Sequence, residues 1–318
     1  MNKTQTNPPL KIRPPYKMNN ATVSRNIYQD TTVDQLLQMI EEILMNQIRN
    51  IRPWDIHEKL SWAYGFTYGD ASMYRLSYDF RRIDVETSHI GTLIAFLSIF
   101  TYLAEEPIIV RTYIRRNSFS PYKIRAYAYI GYTIYDILRQ KNIVNVLEYI
   151  KENRHLFKFF VAGLIDSDGS IQPLIKKRGK GKIRLYFEPE VSIVNKDLNL
   201  LDTVNRLLWR YYQIRNNLVS AHTAGCYRIR INSREDIKNL LDIIKDKILN
   251  IERRKKAILT LQYLKPLTQE MAVQLKKKID ALNNEIKMIN THLRILIERL
   301  TMKRKFLYVY RDGFIEIV

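Results

Sequence analysis

With a single cysteine, Cys226, the 318-residue chain can form no internal disulfide and no cysteine-based zinc site. That usage suits a reducing compartment. Its five histidines show no ligand spacing. It has no apolar run of about 18 residues, so no transmembrane span is expected. The N-terminus carries prolines and scattered charges instead of the apolar core of a signal peptide. The expected location is therefore cytoplasmic or nucleoid-associated, in an organelle or a whole cell. Acids are scarce as well: 32 Asp and Glu stand against 52 Lys and Arg, a net charge of +20. The excess favours polyanionic partners, nucleic acid first. A basic, thermophile-like chain rich in Ile, Tyr and Lys is the plainer alternative. Hydrophobic residues make up 46% of the sequence, enough for a proper core. The length allows two globular domains with appendages.

One segment stands out, Ala162-Gly163-Leu164-Ile165-Asp166-Ser167-Asp168-Gly169-Ser170-Ile171. An apolar helical run ends in two acids, then Gly-Ser, then a strand-like stretch. That order delivers a carboxylate at the tip of a buried helix, where it can hold a divalent metal. A weaker copy lies upstream, Gly65-Phe66-Thr67-Tyr68-Gly69-Asp70-Ala71-Ser72-Met73. It aligns Asp70 with Asp168, Ser72 with Ser170 and Gly65 with Gly163. Gly65 and Gly69 are four apart, as are Gly163 and Ser167, and residues at that spacing share a helix face. Small residues there let two helix backbones approach closely. If the helices cross at these faces, Asp70 and Asp168 meet at the bottom of one cleft. Magnesium, or manganese in its place, prefers oxygen ligands and typically takes one or two protein carboxylates. The bland alternative is that Asp70 only caps a helix or turn.

Periodicity organises the rest. Residues 1–25 are polar and proline-containing. Thr31-Thr32-Val33-Asp34-Gln35 reads as a helix start, and Leu36, Leu37, Ile40, Ile43, Leu44 and Ile48 follow at helical spacing. Pro53 breaks that helix, and Asp55 starts the one carrying the first motif. After Asp70 the period changes to two. Tyr74, Leu76, Tyr78 and Phe80 alternate with Met73, Arg75, Ser77 and Asp79; Ile83, Val85 and Thr87 alternate with Arg82, Asp84 and Glu86. These are two expected strands, followed by a helix at 89–105, strands at 108–116 and 121–130, and a helix at 133–153. The second motif helix, 155–168, leads into the same order: strands at 170–177 and 183–194, a helix from Asn195 to about 211, strands at 217–222 and 226–232, and a helix at 234–249. The fold class is therefore α+β, two pseudo-symmetric αββαββα units, with units at 51–154 and 155–258, an N-terminal helical extension at 1–50 and a C-terminal extension at 259–318.

Alternation also assigns sheet faces. Tyr227, Ile229 and Ile231 oppose Arg228 and Arg230; Ile124, Ala126, Ala128 and Ile130 oppose Lys123, Arg125, Tyr127 and Tyr129. Arg111, Arg115 and Arg116 decorate the neighbouring strand, and Arg75 and Arg82 lie on the first two. Lys176, Lys177, Arg178, Lys180, Lys182 and Arg184 surround a turn with Gly179 and Gly181. Antiparallel sheets with one apolar and one basic face form a saddle that can enter a major groove of double-stranded DNA. There Arg and Lys contact phosphates for affinity and base edges for sequence.

The stretch from Val161 to Gly169 resembles the signature of the LAGLIDADG homing endonucleases, departing from the family name at Val161 and Ser167. The first copy keeps Gly65, Gly69, Asp70 and Ser72, but has Tyr68 where Asp166 stands and Ala71 where the glycine stands. The resemblance covers roughly residues 54–258. It implies a site-specific, divalent-metal-dependent DNA endonuclease in which the second acid of each motif, Asp70 and Asp168, binds metal. The family places a basic residue near the cleft at the end of each unit, and the matching neighbourhoods here offer Lys141 and Arg253. Glu252 falls where a lysine is expected. Asn195 stands where the family carries a polar residue that orients water, and a helix N-cap is its other reading. The competing function is a non-cleaving nucleic-acid-binding protein, a transcriptional regulator or an RNA-splicing maturase. A competing reading of the first unit makes 54–65 and 70–83 a helix-turn-helix with 108–130 as its wing. That version has one motif per chain and requires a homodimer.

At the C-terminus Leu275, Ile279, Leu282, Ile286, Ile289, Leu293, Leu296 and Leu300 recur at alternating spacings of four and three, a heptad seam on one long helix. It packs along its own body in a monomer, the expected state, or pairs two copies in a homodimer. Tyr308 to Ile315, with Asp312-Gly313, reads as a β-hairpin.

Overall fold

The computed structural model describes residues 32–75, 81–115, 121–139, 144–179, 184–220 and 225–318. The extension helix α1 (Val33–Ile51) comes first. The first unit follows with α2 (Ile56–Thr67), β1 (Ala71–Arg75), β2 (Arg81–Thr87), α3 (Ile90–Leu103), β3 (Ile108–Ile114), β4 (Tyr122–Tyr129), α4 (Tyr132–Arg139) and a linking helix α5 (Val144–Glu152). The second unit has α6 (Arg154–Asp168), β5 (Gly169–Gln172), β6 (Ile175–Arg178), β7 (Arg184–Phe187), β8 (Glu190–Asn195), α7 (Leu198–Tyr212), β9 (Asn217–Ser220), β10 (Tyr227–Ile231) and α8 (Arg234–Ile244). Then come α9 (Ile251–Gln262), α10 (Gln269–Lys303), β11 (Leu307–Val309) and β12 (Ile315–Ile317).

The αββαββα order runs twice, and the sheets repeat with it. Strand order is β1-β2-β4-β3 in the first unit and β5-β8-β10-β9 in the second, antiparallel throughout. Each expected long strand of the second unit is broken, β5 from β6 and β7 from β8, so that β6 and β7 form a separate ribbon. Pro173 and Pro189 sit at the two breaks, and proline has no N–H to give to a ladder. Leu174 N instead donates to Gln172 O and Glu188 N to Leu174 O, which bends both strands together. The helix-turn-helix reading fails here: Ala71–Arg75 is a strand, with Ala71 opposite Val85 and Arg75 opposite Arg81. The phase expected for β1 is also reversed. Met73 packs on the core, while Tyr74 turns outward beneath the Arg82 guanidinium, 5.1 Å from its ring centre. An aromatic on a strand can thus face a cation as readily as a core.

The extensions are built into the body. α1 opens on a capping box between Thr32 and Gln35 and packs on α3 with Leu37, Ile40 and Leu44 buried. α10, about 50 Å long at ~1.5 Å per residue, straps both units on their helix side. Gln269 pairs with both backbone groups of Leu185 on β7. Asn290 accepts from the first free N–H of α3 (3.0 Å), and Glu298 accepts from Tyr122 of β4 (2.5 Å). Leu275, Ile289, Leu293, Leu296 and Leu300 of the heptad seam are buried, whereas Ile279, Leu282 and Ile286 cross between the units half-covered. The terminal hairpin then adds β11 to β3, enlarging the first sheet to six strands. Its turn is longer than the two-residue type: Tyr310 N bonds to Phe314 O, and Gly313 takes a positive φ of 94° against Met45 and Ile48 of α1. Among the described residues no helix is long and apolar enough to cross a membrane.

Candidate metal centre and nucleic-acid interface

The motif helices α2 and α6 cross where the small residues lie. A Cβ on Gly65 would sit 2.2 Å from the Phe160 carbonyl oxygen, and one on Gly163 would sit 2.0 Å from that of Trp62. Only hydrogen fits between these backbones, so the glycines set the crossing. A Cβ on Gly69 would fall 2.5–2.7 Å from the carboxyl atoms of Asp168. The Asp168 carboxylate therefore rests on the Gly69 backbone, next in chain to Asp70. Ser167 is buried and donates to Leu164 O (3.1 Å).

The two acids are held differently. Asp168 Oδ2 accepts from Asn195 Nδ2 at 2.8 Å, and the same nitrogen lies 3.2 Å from Tyr68 O. Asn195 thus ties the tip of α6 to the end of α2. It is not the N-cap of α7, because Asp197 fills that place by accepting from Leu200 N. The ladders identify its counterpart. Gly169 pairs with Ile193 and Ala71 with Val85, so two residues on, Asn195 corresponds to Thr87. Thr87 exchanges its hydrogen bonds with His89, and no described residue donates one to Asp70. Asp70 is exposed as a residue, but its carboxyl is partly desolvated by the surrounding protein. That burial pushes its carboxyl up to about 6, against the pull of Arg253 and with a smaller push from Asp168.

Asp166, the other acid of the second motif, is sealed in. It accepts from Leu249 N (2.6 Å), Asn250 N (3.2 Å) and Trp62 Nε1 (3.2 Å). Burial pushes its carboxyl up to about 7, although Arg253 and these donors pull the other way. It fixes the turn after α8, which is why the helix expected to reach 249 stops at Ile244. Asn250 then caps α9, and four consecutive bases diverge. Arg253 donates to Ser167 O at 2.9 Å beside the acids. Arg254 reaches Gln47 of α1 (3.3 Å), Lys255 pairs with Glu285 of α10, and Lys256 pairs with Glu252 (2.5 Å). Of the two bases expected near the cleft, Arg253 is there, and Lys141 lies outside the described residues. Lys256, in the same basic run as Arg253, is the second base at the cleft. With Glu252, Arg253 and Asn250 it lines a cleft of about 220 Å³ against His89 and Gly91.

Both sheets turn one face away from the helices. On the first, Arg82, Arg111, Lys123, Arg125, Tyr127 and Tyr129 share the outer face by register. Arg75 does not: opposite Arg81, it points to the helix side. On the second, Arg228 and Arg230 face outward with Ser192. Acids stand among these bases. Asp84 is buried between Arg82 (2.6 Å) and Arg125 (3.8 Å), and Glu86 meets Arg125 (3.6 Å) and Arg115 (3.8 Å). Glu190 holds Arg230 (2.7 Å), and Glu188 holds Lys176 (2.9 Å) and Arg178. Arg111 lies over Tyr127 and Phe306. Lys177 and Arg184 are exposed on the ribbon, and Arg116, Lys180 and Lys182 fall outside the described residues.

Two αββαββα units are joined by crossing helices, each with an acid at or just beyond its end, and polar sheet faces lie to either side. Residues 158–245, within the second unit, match the family model described as LAGLIDADG-like domain. No curated protein matches the chain. Among solved structures, full-length DUF199/WhiA from Thermatoga maritima aligns at 15% identity over 81% of this chain and 97% of that one, with a TM-score of 0.45. I-DmoI in complex with DNA and Mn aligns at 19% identity over 60% and 97%, with a TM-score of 0.40. The meganuclease I-SmaMI bound to uncleaveable DNA aligns at 13% identity over 70% and 97%, with a TM-score of 0.45.

Proposed function

We propose that this protein is a site-specific, divalent-metal-dependent endonuclease of double-stranded DNA. The observation that carries the reading is that the Asp168 carboxylate, at the tip of α6, rests on the Gly69 backbone, next in chain to Asp70, and acts electrostatically on the Asp70 carboxyl. Among the described residues no group of three or more His, Cys, Asp or Glu side chains could hold a metal. A pair of carboxylates with Arg253 nearby nonetheless fits Mg²⁺ or Mn²⁺, which fill their shells with water and phosphate oxygens. A bound ion would supply Lewis-acid chemistry at a phosphodiester and an activated water. The chain's own residues hold the acids in place: Asn195 for Asp168, and Asp166 through the turn that carries Arg253. Asn195→Ala is expected to weaken Mn²⁺ binding about 10- to 100-fold, as read by calorimetric titration. An unchanged isotherm would reduce Asn195 to a strand terminator.

The outer sheet faces, with Arg111, Lys123, Lys177, Arg184 and Arg228 outside the ion pairs, are the DNA surface in this reading. Each phosphate neutralised contributes a slope of about −0.9 in log K against log salt. Binding measured between low and moderate salt should therefore fall steeply, and a flat response would remove duplex DNA as the partner. We place the unit boundaries at 51–154 and 155–258, and the protein with DNA in the cytoplasm, nucleoid or an organelle. One chain holds both acids and α10 packs on its own body, so a monomer is expected in light scattering; a stable dimer that loses cleavage when Leu282 and Ile289 become Asp would overturn this. The unequal tethering of the acids favours one second reading, a protein that binds DNA without cutting both strands.

Metal and protons compete for Asp70. Its carboxyl is raised to about 6, so the free carboxylate is depleted as pH falls through 6. Apparent Mn²⁺ affinity should drop below that pH by up to about tenfold per unit. Affinity that stays level down to pH 5 would take Asp70 out of the metal site.

A further inference from the structure

The two extensions border a second site, an open pocket on the helix side of the first unit and away from the outer sheet face. A cavity of about 600 Å³ lies between α1, the end of α3 and the terminal hairpin. Its walls carry Arg49 and Arg52 from the last turn of α1 and Arg311 from the hairpin turn; Met45, Ile48 and Tyr102 supply apolar surface. None of the three arginines forms an ion pair with a described residue. The one acid in the lining, Asp312, accepts Phe314 N within its own turn (3.0 Å).

Behind the wall stands another cation. Lys59 is only 7% exposed and donates to Trp54 O. Its ammonium lies 5.0 Å from the Tyr102 ring centre, and the Arg311 guanidinium lies 5.1 Å from the same ring. Burial lowers the Lys59 pKa, and the Arg311 charge adds to that, against Glu58 and Asp55. Three arginines and a lysine thus gather around this cavity, with Asp312 the one acid in its lining.

We propose that this cavity binds a nucleotide unit, its phosphate on Arg49, Arg52 and Arg311 and its sugar or base against Met45, Ile48 and Tyr102. The planar guanidinium fork takes two phosphate oxygens at once, and a phosphate group has oxygens to share among several forks, whereas a single carboxylate has only two. The volume exceeds what one phosphate needs and falls within the usual range for small-ligand sites. The apolar floor gives a base or sugar a surface, as in single-strand binding. The unit comes either from a free nucleotide or from a single strand threaded past the helix side. This site shares no residue with the acidic cleft and stands whether or not that cleft cuts DNA.

The test uses the full chain with its sheet faces saturated by unlabelled duplex. Fluorescence anisotropy then follows a labelled oligo-dT 12-mer, and a labelled ATP serves as the second probe. The wild type is expected to bind at least one probe. Binding of both probes, with ATP displacing the oligonucleotide, identifies a free-nucleotide site; binding of the oligonucleotide alone identifies a strand site. The Arg49→Gln, Arg52→Gln, Arg311→Gln variant should lose about tenfold or more for each arginine engaged, with duplex affinity unchanged. If that variant melts early, the exposed Arg52→Gln single variant, which touches no described ion pair, is expected to show the loss alone. Failure of the wild type to bind either probe, or equal binding by the folded variants, would overturn the proposal.

Discussion

Asp168→Asn is expected to lower cleavage of target duplex by about a thousandfold or more, with duplex affinity changed by no more than about twofold. The size follows from removing one of two carboxylates that would neutralise the metal and set its position; several kcal/mol of transition-state stabilisation go with it. The spared affinity follows from geometry, since Asp168 lies at the cleft floor while the sheet-face cations are elsewhere. The asparagine keeps a side-chain oxygen for Asn195 Nδ2, so the fold should be retained. Nicking and gap-closing assays on a supercoiled substrate, beside filter binding, separate the two effects. Wild-type rates would remove Asp168 from the chemistry.

The second large effect is on stability. Gly163→Ala is expected to destabilise the protein by about 3 kcal/mol or more, because the new methyl carbon meets the Trp62 carbonyl at 2.0 Å and a backbone group cannot swing aside. Gly163→Val should not yield folded protein. Gly69→Ala makes the informative contrast. Its methyl group would meet the Asp168 side chain, which can move. That variant should melt close to wild type yet lose metal binding. Thermal unfolding with a Mn²⁺ titration reads both quantities. A Gly163→Ala protein that melts like the wild type would mean that α2 and α6 do not cross at these residues. Asp166 adds a pH signature to the same measurement. Its folded carboxyl is raised to about 7, above the unfolded value of 3.8. The folded chain therefore holds a proton that the unfolded chain has released, and this group's contribution to stability declines as pH rises from 4 to 7.

Much of the motif geometry could be read in the sequence because it is local. A four-residue spacing of Gly65 with Gly69, and of Gly163 with Ser167, fixes a helix face before any fold is known. The acids Asp70 and Asp168 follow directly from their positions at the helix ends. Alternation placed Arg125, Arg228 and Arg230 on outer faces for the same reason. What escaped depends on register or on distant chain. Thr87 becomes the counterpart of Asn195 only once both ladders are aligned. Asp84 meets Arg82 within its own strand, but Asp84 and Glu86 reach Arg125 only across strands. The phase of β1 is not legible from alternation alone, because Tyr74 groups with Leu76 and Phe80 by spacing while a neighbouring arginine covers its ring. The strap formed by α10, the joining of β11 to β3 and the tie from Gln47 to Leu249 O (3.0 Å) link residues some two hundred positions apart. No periodicity announces such contacts. The two prolines that split the second unit's strands were visible, but their joint bend needed both strands side by side.

The most direct test is to incubate the protein with a random-sequence duplex library and Mg²⁺ or Mn²⁺, then to sequence the new ends. Cleavage confined to one or a few related sequences, dependent on the divalent ion and absent from Asp168→Asn, is the expected result. Duplex that is bound by the wild type but left uncut with either ion would contradict the nuclease assignment and leave a DNA-binding protein on the same scaffold.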